Sequence, residues 1–229
     1  SLFYFLRSSS SAWQARLAVY YEELGLDMSL RPPAAVRAPF DEARCEVIEE
    51  LNPEVVSFHF GLPESSLLSR VKAAKCLVMS SATTVAEARW LEAHGCDVII
   101  AQGYEAGGHR GMFLTDDPLS QVGTLALVPQ VVDAVSVPVI AAGGIADGRG
   151  IAAAFALGAS GVQLGTAYLF TPEALISTLH RSALHAASDD HTALTNVFSG
   201  RPARGLVNRI MREVGPMSDV APVFPTAGN

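Results

Sequence analysis

A chain of 229 residues, 49% of them hydrophobic and 17% charged, can bury a sizeable core and form one large domain. Its formal net charge of -7 argues against a polyanion-binding surface, which needs clustered Lys and Arg, so nucleic acid is not an expected partner. Three scattered cysteines, Cys45, Cys76 and Cys96, give neither a disulfide framework nor a CxxC zinc pair, and they fit a reducing cytoplasm.

In chain order, the apolar "SLFYFL" at Ser1–Leu6 reads as a first strand. It is too short for a signal h-region and has no basic n-region before it, so no targeting segment is expected. The chain begins at Ser1 rather than Met, which hints at residues upstream. "SAWQARLAVYYEEL" and "DEARCEVIEEL" have helical spacing, the second with Asp41 as its start signal. "EVVSFHF" reads as the second strand, and His59 near its carboxyl end as a core or supporting histidine ahead of a substrate contact.

"ESSLLSRVKAA" then predicts a helix and "CLVMS" a third strand. Thr83 or Thr84 is the expected N-cap of "TVAEARWLEAHG", and Gly95 its stop; His94 in the last turn suits a helix C-terminus and reads as structural. The strand "DVIIAQG" runs straight into "AQGYEAGGHRG", Ala101–Gly111. His109 lies on this glycine-rich loop a few residues beyond a buried strand, where a neutral imidazole can serve as a base. A helix through "LVPQVVDAV", the strand "VPVIAAGG", the helix "DGRGIAAAFALGA" closed by Gly158, and the strand "GVQLGT" complete the alternation.

Ile151–Pro172 carries no charge, but Gly158, Gly161, Gly165 and Pro172 interrupt it, so it reads as helix, turn, strand and loop rather than a membrane span. His180, His185 and His191 fall in a polar helical tail; His180 and His185 are five apart and share no helical face, and no metal is expected. The Arg-rich "SGRPARGLVNRIMRE" reads as a solvated or interface segment.

Six strands alternating with helices indicate repeated βα units, closing either as a doubly wound sheet or as a barrel. In a barrel the chemistry sits at the carboxyl ends of the strands, with a phosphate at the loops after the last two. Here those ends are "AAGGIADGRG" and "QLGT", glycines that allow close backbone approach, followed by a segment that can offer a helix N-terminus. There is no GxGxxG at the first strand and no GxxxxGK[ST], which shifts the balance from a dinucleotide sheet to a barrel holding a mononucleotide-type phosphate.

Taken in order, "AQGYEAGGHRG", "GTLALVPQ", "PVIAAGGIADGRGIAAAFALGASGVQLGTAYL" and "SGRPARGLVNR" resemble the nitronate monooxygenases, the 2-nitropropane dioxygenase family. The resemblance includes "EVVSFHFG" and "SSATTVAEA" and runs across nearly the whole chain. It implies an α/β fold, a TIM-type (β/α)8 barrel with noncovalent FMN, and oxidation of alkyl nitronates, and of nitroalkanes, by O2 to carbonyl compounds and nitrite. It implies that His109 is the catalytic base and that Gln102, Gly107, Gly143, Gly144, Gln163, Leu164, Gly165 and Thr166 contact the flavin. These contacts coincide with the phosphate cradle read from glycine placement alone.

Family members carry two further βα units before the segment that begins here at Ser1, usually an asparagine at that position, and further helices after Asn229. The chain is therefore expected to be about six βα units of a longer protein, an incomplete barrel with open edges that does not hold FMN tightly alone. Residues 1–187 are expected to form the FMN-binding barrel portion and 188–229 a tail packing on it, as a single domain. The expected partners are a small nitronate or nitroalkane and O2 in the cytoplasm, with no nucleic acid, membrane or metal and a homodimer left open. Two alternatives stand beside this: another FMN barrel, an enoyl reductase or NADH:quinone reductase sharing the Gly-Gly and GT cradle, and a truncated non-catalytic fragment. Glu105 and Arg110 carry no assigned role.

Overall fold

The computed structural model describes residues 2–28, 38–225 and 227, with side chains from residue 11 onward. The elements run α1 (Leu2–Glu23), α2 (Glu42–Leu51), β1 (Val55–Phe58), α3 (Ser65–Ala73), β2 (Leu77–Ala82), α4 (Val85–Ala93), β3 (Val98–Gln102) and the two-residue β4 (Gly108–His109). They continue with α5 (Thr124–Ala134), β5 (Val139–Ala142), α6 (Gly148–Ala156), β6 (Gly161–Gln163), α7 (Thr178–Ala186), β7 (Thr192–Thr195), β8 (Ala203–Leu206) and α8 (Arg209–Val214). The chain divides into two compact units, Ala38–Arg181 and Ser1–Arg37 with Ser182–Asn229.

In the first unit five strands form one parallel sheet in the order β1-β2-β3-β5-β6. The register pairs Phe58 with Ser80, Ser80 with Ile99, Ile99 with Val139 and Ile140 with Gly161. Each strand lies beside its predecessor and the order never reverses. A doubly wound sheet reverses at a switch point, so this is the winding of a TIM-type barrel wall.

The continuous apolar runs are explained by what covers them. Val78, Ala82, Ile99, Ala101, Val139 and Ala141 are buried in the strands beneath Leu67, Val71, Ala88, Leu91, Leu127, Val128, Val131 and Ala154 of the helices. Each fully buried Leu or Val contributes about 1.5–3 kcal/mol.

Local signals set the helix ends. Asp41 caps α2 by accepting the Arg44 N–H at 3.0 Å. Of the two candidate threonines at the start of α4, Thr84 is the cap, accepting the Glu87 N–H at 3.2 Å. Gly95 and Gly158 follow their helices with φ of +93° and +92°, as C-terminal stops require. Arg70 joins α3 to α2 by pairing with Glu42 and, at 2.7 Å, with Glu49.

The expected strand at "SLFYFL" is overturned: its described residues, Leu2–Leu6, belong to α1, while Ser1 lies outside the described residues. A run of six apolar residues does not by itself separate strand from helix. Nothing between Leu6 and Trp13 breaks a helix, so one propagating from "AWQARL" extends through it. The parallel sheet consequently has five strands rather than six.

In the other unit, Trp13 of α1 is buried with Val197 and Met211, and its indole N–H donates to the Ala227 carbonyl at 3.0 Å. Strands β7 and β8 pair antiparallel, Thr192 opposite Leu206. Asn208 caps α8 by accepting the Met211 N–H. Within the Arg-rich segment, Arg209 sits half exposed between Glu23 and Glu213, 5.2 Å from the centre of the Tyr20 ring.

Candidate active site

The loop after β3 is pinned by buried polar side chains. Gln102, 7% exposed, donates from Nε2 to the His109 carbonyl at 3.0 Å, while its Oε1 accepts the Gly111 N–H at 2.8 Å. Arg110 is fully buried, with Nε donating to Gln121 Oε1 at 2.6 Å and Nη2 to the Gln102 carbonyl at 2.9 Å. Glu105 reaches the other way and accepts both the N–H and the hydroxyl of Thr124. The next stretch is held by Glu87, whose Oε1 accepts the N–H groups of Phe113 at 2.7 Å and Leu114 at 3.2 Å.

Two glycines let the loop lie this close. A Cβ on Gly103 would overlap Thr124, and one on Gly111 would fall 2.9 Å from both His59 Cε1 and Ser81 Cβ. With its carbonyl held by Gln102, His109 is half-buried, and the Phe60 ring stands edge-on to its imidazole at 6.0 Å.

The other histidines separate as geometry dictates. His59 links Ser81 Oγ, 3.1 Å from Nδ1, to the His109 carbonyl, 3.3 Å from Nε2, and so belongs to the support of the loop. His94 stacks on Trp90 and engages the Trp90 carbonyl at 2.7 Å. His180 and His185 are exposed on α7, and His191 is exposed beyond it. Among the described residues no group of three His, Cys, Asp or Glu could hold a metal ion, and no helix is long and apolar enough to cross a membrane.

The two glycine turns lie at the ends of the neighbouring strands. Gly143 and Gly144 follow β5 with φ of +114° and +68°, a left-handed pair that glycine adopts without strain. Leu164, Gly165 and Thr166 follow β6, and a Cβ on Gly165 would meet nothing within 4 Å. A Cβ on Gly107 would lie 3.5 Å from Thr166 Oγ1, so the histidine loop reaches the β6 turn. Gly107, Gly144, Gln163, Gly165 and Thr166 are all exposed. Arg181 braces the chain beyond Thr166 by donating to the carbonyls of Leu169, Thr171 and Ala174.

One expectation needs correcting: the helix N-terminus after Gly143–Gly144 is already capped. Asp147 accepts the N–H groups of Arg149 and Gly150, and its Arg149 contact together with these amides holds its carboxyl below the usual range. A carboxylate thus occupies the N-terminus of that helix.

Sequence reasoning missed two residues of this site, Glu87 and Thr124, while Ser81, which with Ser80 could be read at the strand end as a ligand contact, instead meets His59. Glu87 is fully buried and, besides the two loop amides, accepts the N–H and hydroxyl of Thr83, both at 2.7 Å. The signal was there in "TTVAE", which has the T-x-x-E spacing of a capping box, with the reciprocal bond shifted one residue upstream to Thr83. Nothing local marks Thr124, whose partner is 19 residues away.

A parallel βα wall with a histidine loop and two glycine turns at its carboxyl edge defines a TIM-type α/β protein. Residues 5–227 match the model of the nitronate monooxygenase family, and the chain belongs to that family. A protein of Staphylococcus aureus strain Newman described as a probable nitronate monooxygenase is 48% identical over 172 residues, 75% of this chain and 48% of that one. One of the same description from Staphylococcus saprophyticus is 44% identical over 190 residues, 81% of this chain and 53% of its own length.

The chain thus spans about half the length of these curated relatives. Among solved structures, nitroalkane oxidase from Streptomyces ansochromogenes superposes with a TM-score of 0.84 at 38% identity, covering 96% of this chain and 63% of that one. FabK from Thermotoga maritima gives 0.66 at 36% identity, over 78% of this chain and 54% of its own.

Proposed function

We propose that this chain is the flavin-facing part of an enzyme that uses FMN and O2 to oxidise alkyl nitronates, and nitroalkanes after proton removal, to carbonyl compounds and nitrite. The observation that carries this reading is the meeting of the His109 loop, the Gly143–Gly144 turn and the Gln163–Thr166 segment at the ends of three adjacent strands, in a member of the nitronate monooxygenase family. The related structure named as a nitroalkane oxidase supports the substrate class.

The residues present fit FMN. The open space over Gly165, the left-handed Gly143–Gly144 backbone and the exposed Gln163 and Thr166 offer N–H, amide and hydroxyl donors suited to a phosphate and a polar ring edge. Gly143, Gly144, Gln163, Leu164, Gly165 and Thr166 would hold the group, with Gly107 bordering it from the histidine loop, whose shape Gln102 sets by using both side-chain polar atoms on the His109 carbonyl and the Gly111 N–H. When bound, FMN supplies the electron acceptor and the reaction with O2.

The chain's own residues bind, orient and move a proton. A nitroalkane has an acidic Cα–H whose removal leaves charge spread over the nitro oxygens, and His109 is the base that takes that proton. A nitronate arrives already deprotonated and bypasses this step. Phe60 places an aromatic edge beside the imidazole. The buried thiols Cys45, Cys76 and Cys96 support a reducing, cytoplasmic setting.

The test compares two substrates in His109→Ala. Turnover of the neutral nitroalkane should fall by about 10²-fold or more, the scale of general base catalysis, while turnover of the nitronate largely persists. Equal loss or equal retention on both would sink the assignment. NADH consumption without nitrite release would point instead to a flavin reductase.

A further inference from the structure

The support beneath the His109 loop forms a connected set of hydrogen bonds that no role assigned so far accounts for. The His109 carbonyl is approached by two side-chain nitrogens, Gln102 Nε2 at 3.0 Å and His59 Nε2 at 3.3 Å. A carbonyl only accepts, so a hydrogen bond from His59 requires the proton on Nε2. In the neutral ring Nδ1 is then an acceptor, and Ser81 Oγ, 3.1 Å away, is placed to donate to it. Ser81 is 5% exposed, which shields that hydroxyl from competing water. Gln102 closes the set by accepting the Gly111 N–H at 2.8 Å, and Gly111 has no room for a side chain against His59 and Ser81.

We propose that Ser81, His59 and Gln102 form a clamp of positioning residues that fixes His109 through its backbone carbonyl, with a ring proton of His59 held on Nε2. This rests on reading His109 as the base. None of the three clamping side chains needs to touch the substrate to act, because the clamp sets where the imidazole stands relative to the Cα–H. A shift on the order of 1 Å in such a group costs about 10²-fold, so a partly loosened clamp is expected to cost about tenfold.

The ring nitrogens of His59 are read first, by 15N NMR of the unaltered full chain with and without FMN. A proton on Nε2 is the expected result; an Nε2 without a proton overturns the proposal. In the FMN-loaded chain, Ser81→Ala removes the donor to His59, and Gln102→Glu turns the donor facing the His109 carbonyl into an acceptor. Each should lower the ratio of neutral-nitroalkane to nitronate kcat/KM about tenfold, and Ser81→Thr, which keeps the hydroxyl, should restore it.

An unchanged ratio, or equal loss on both substrates, overturns the clamp. Should both variants fail to fold, the Nε2 protonation measured in the unaltered chain decides. If His109→Ala abolishes only the neutral reaction while the ratio in Ser81→Ala and Gln102→Glu is unmoved, the base assignment stands and the clamp falls. If His109→Ala spares the neutral reaction, the base assignment falls even where the His59 Nε2 protonation is as expected.

Discussion

Glu105 caps helix α5 from outside it, with Oε2 lying 2.8 Å from the backbone N–H of Thr124 and 2.9 Å from its hydroxyl. The formal cap of that helix is Gly123, which has no side chain to offer. A carboxylate from the histidine loop therefore satisfies a first-turn amide and faces the positive end of the helix dipole. The same hydroxyl is 2.8 Å from the Gly143 carbonyl, so Thr124 joins the histidine loop to the glycine turn after β5.

Glu105→Ala should destabilise the chain by about 1–2 kcal/mol, and Glu105→Gln by about half as much, because the amide keeps an acceptor but loses the charge. Urea denaturation measures both. Equal losses would show that the charge contributes nothing at the helix end.

Glu87 is the more severe case, since its two oxygens serve four donors on two segments. Glu87→Gln turns one oxygen into an N–H pointing at other donors, and Glu87→Ala leaves the buried amide of Thr83 and the part-buried amides of Phe113 and Leu114 without their acceptor. Costs of about 2–4 kcal/mol are expected, with faster amide exchange at Phe113 and Leu114 ahead of global unfolding. A substitution costing under about 0.5 kcal/mol would contradict this account.

The sequence disclosed what local chemistry decides. Asp41, Thr84, Gly95 and Gly158 announce helix ends because their effects reach only a few residues, and the apolar runs of β2, β3 and β5 announce a sheet covered on both faces. The glycines of the β5 turn were legible because few residues other than glycine adopt such positive-φ backbones. "SLFYFL" was misread because a short apolar run carries no period. The clamp on His109 was invisible because its partners lie 22 and 50 residues from His59, a distance only the folded sheet closes.

The ion cluster around Arg209 links α1 to α8 and carries a pH signature. Hydrogen bonds from Arg209 hold the carboxyls of Glu23 and Glu213 below the usual range. Groups depressed in the folded state stabilise it above their unfolded value, about 4.3, and that contribution is lost as pH falls through the folded values. Tyr20 runs the other way: its hydrogen bond to Glu213 raises its pKa, so its contribution is complete below about 10 and is lost as pH rises through the folded value. In Arg209→Met the decline of melting temperature between pH 6 and pH 3 should be shallower than in the unaltered chain. Arg209, Glu23 and Glu213 are exposed, so 0.5 M salt should shrink the difference, and parallel declines would remove the cluster from the account.

Two glycines of the proposed cradle separate fold from binding. Gly143 has φ of +114°, and a Cβ there would stand 2.9 Å from the Ala106 backbone nitrogen, so Gly143→Ala meets both backbone strain and a contact that cannot yield cheaply. It should destabilise the chain by about 1–3 kcal/mol and weaken FMN retention as a consequence. Gly165 has φ of -111° with open space where the Cβ would go, so Gly165→Ala should leave stability within about 0.5 kcal/mol. A methyl group there occupies the volume through which a phosphate would approach the backbone, and FMN affinity, followed by quenching of flavin fluorescence, should drop about tenfold or more. A Gly165→Ala chain that binds FMN as tightly as the unaltered one would remove the β6 turn from the cradle, and with it the reason for two glycine turns on adjacent strands.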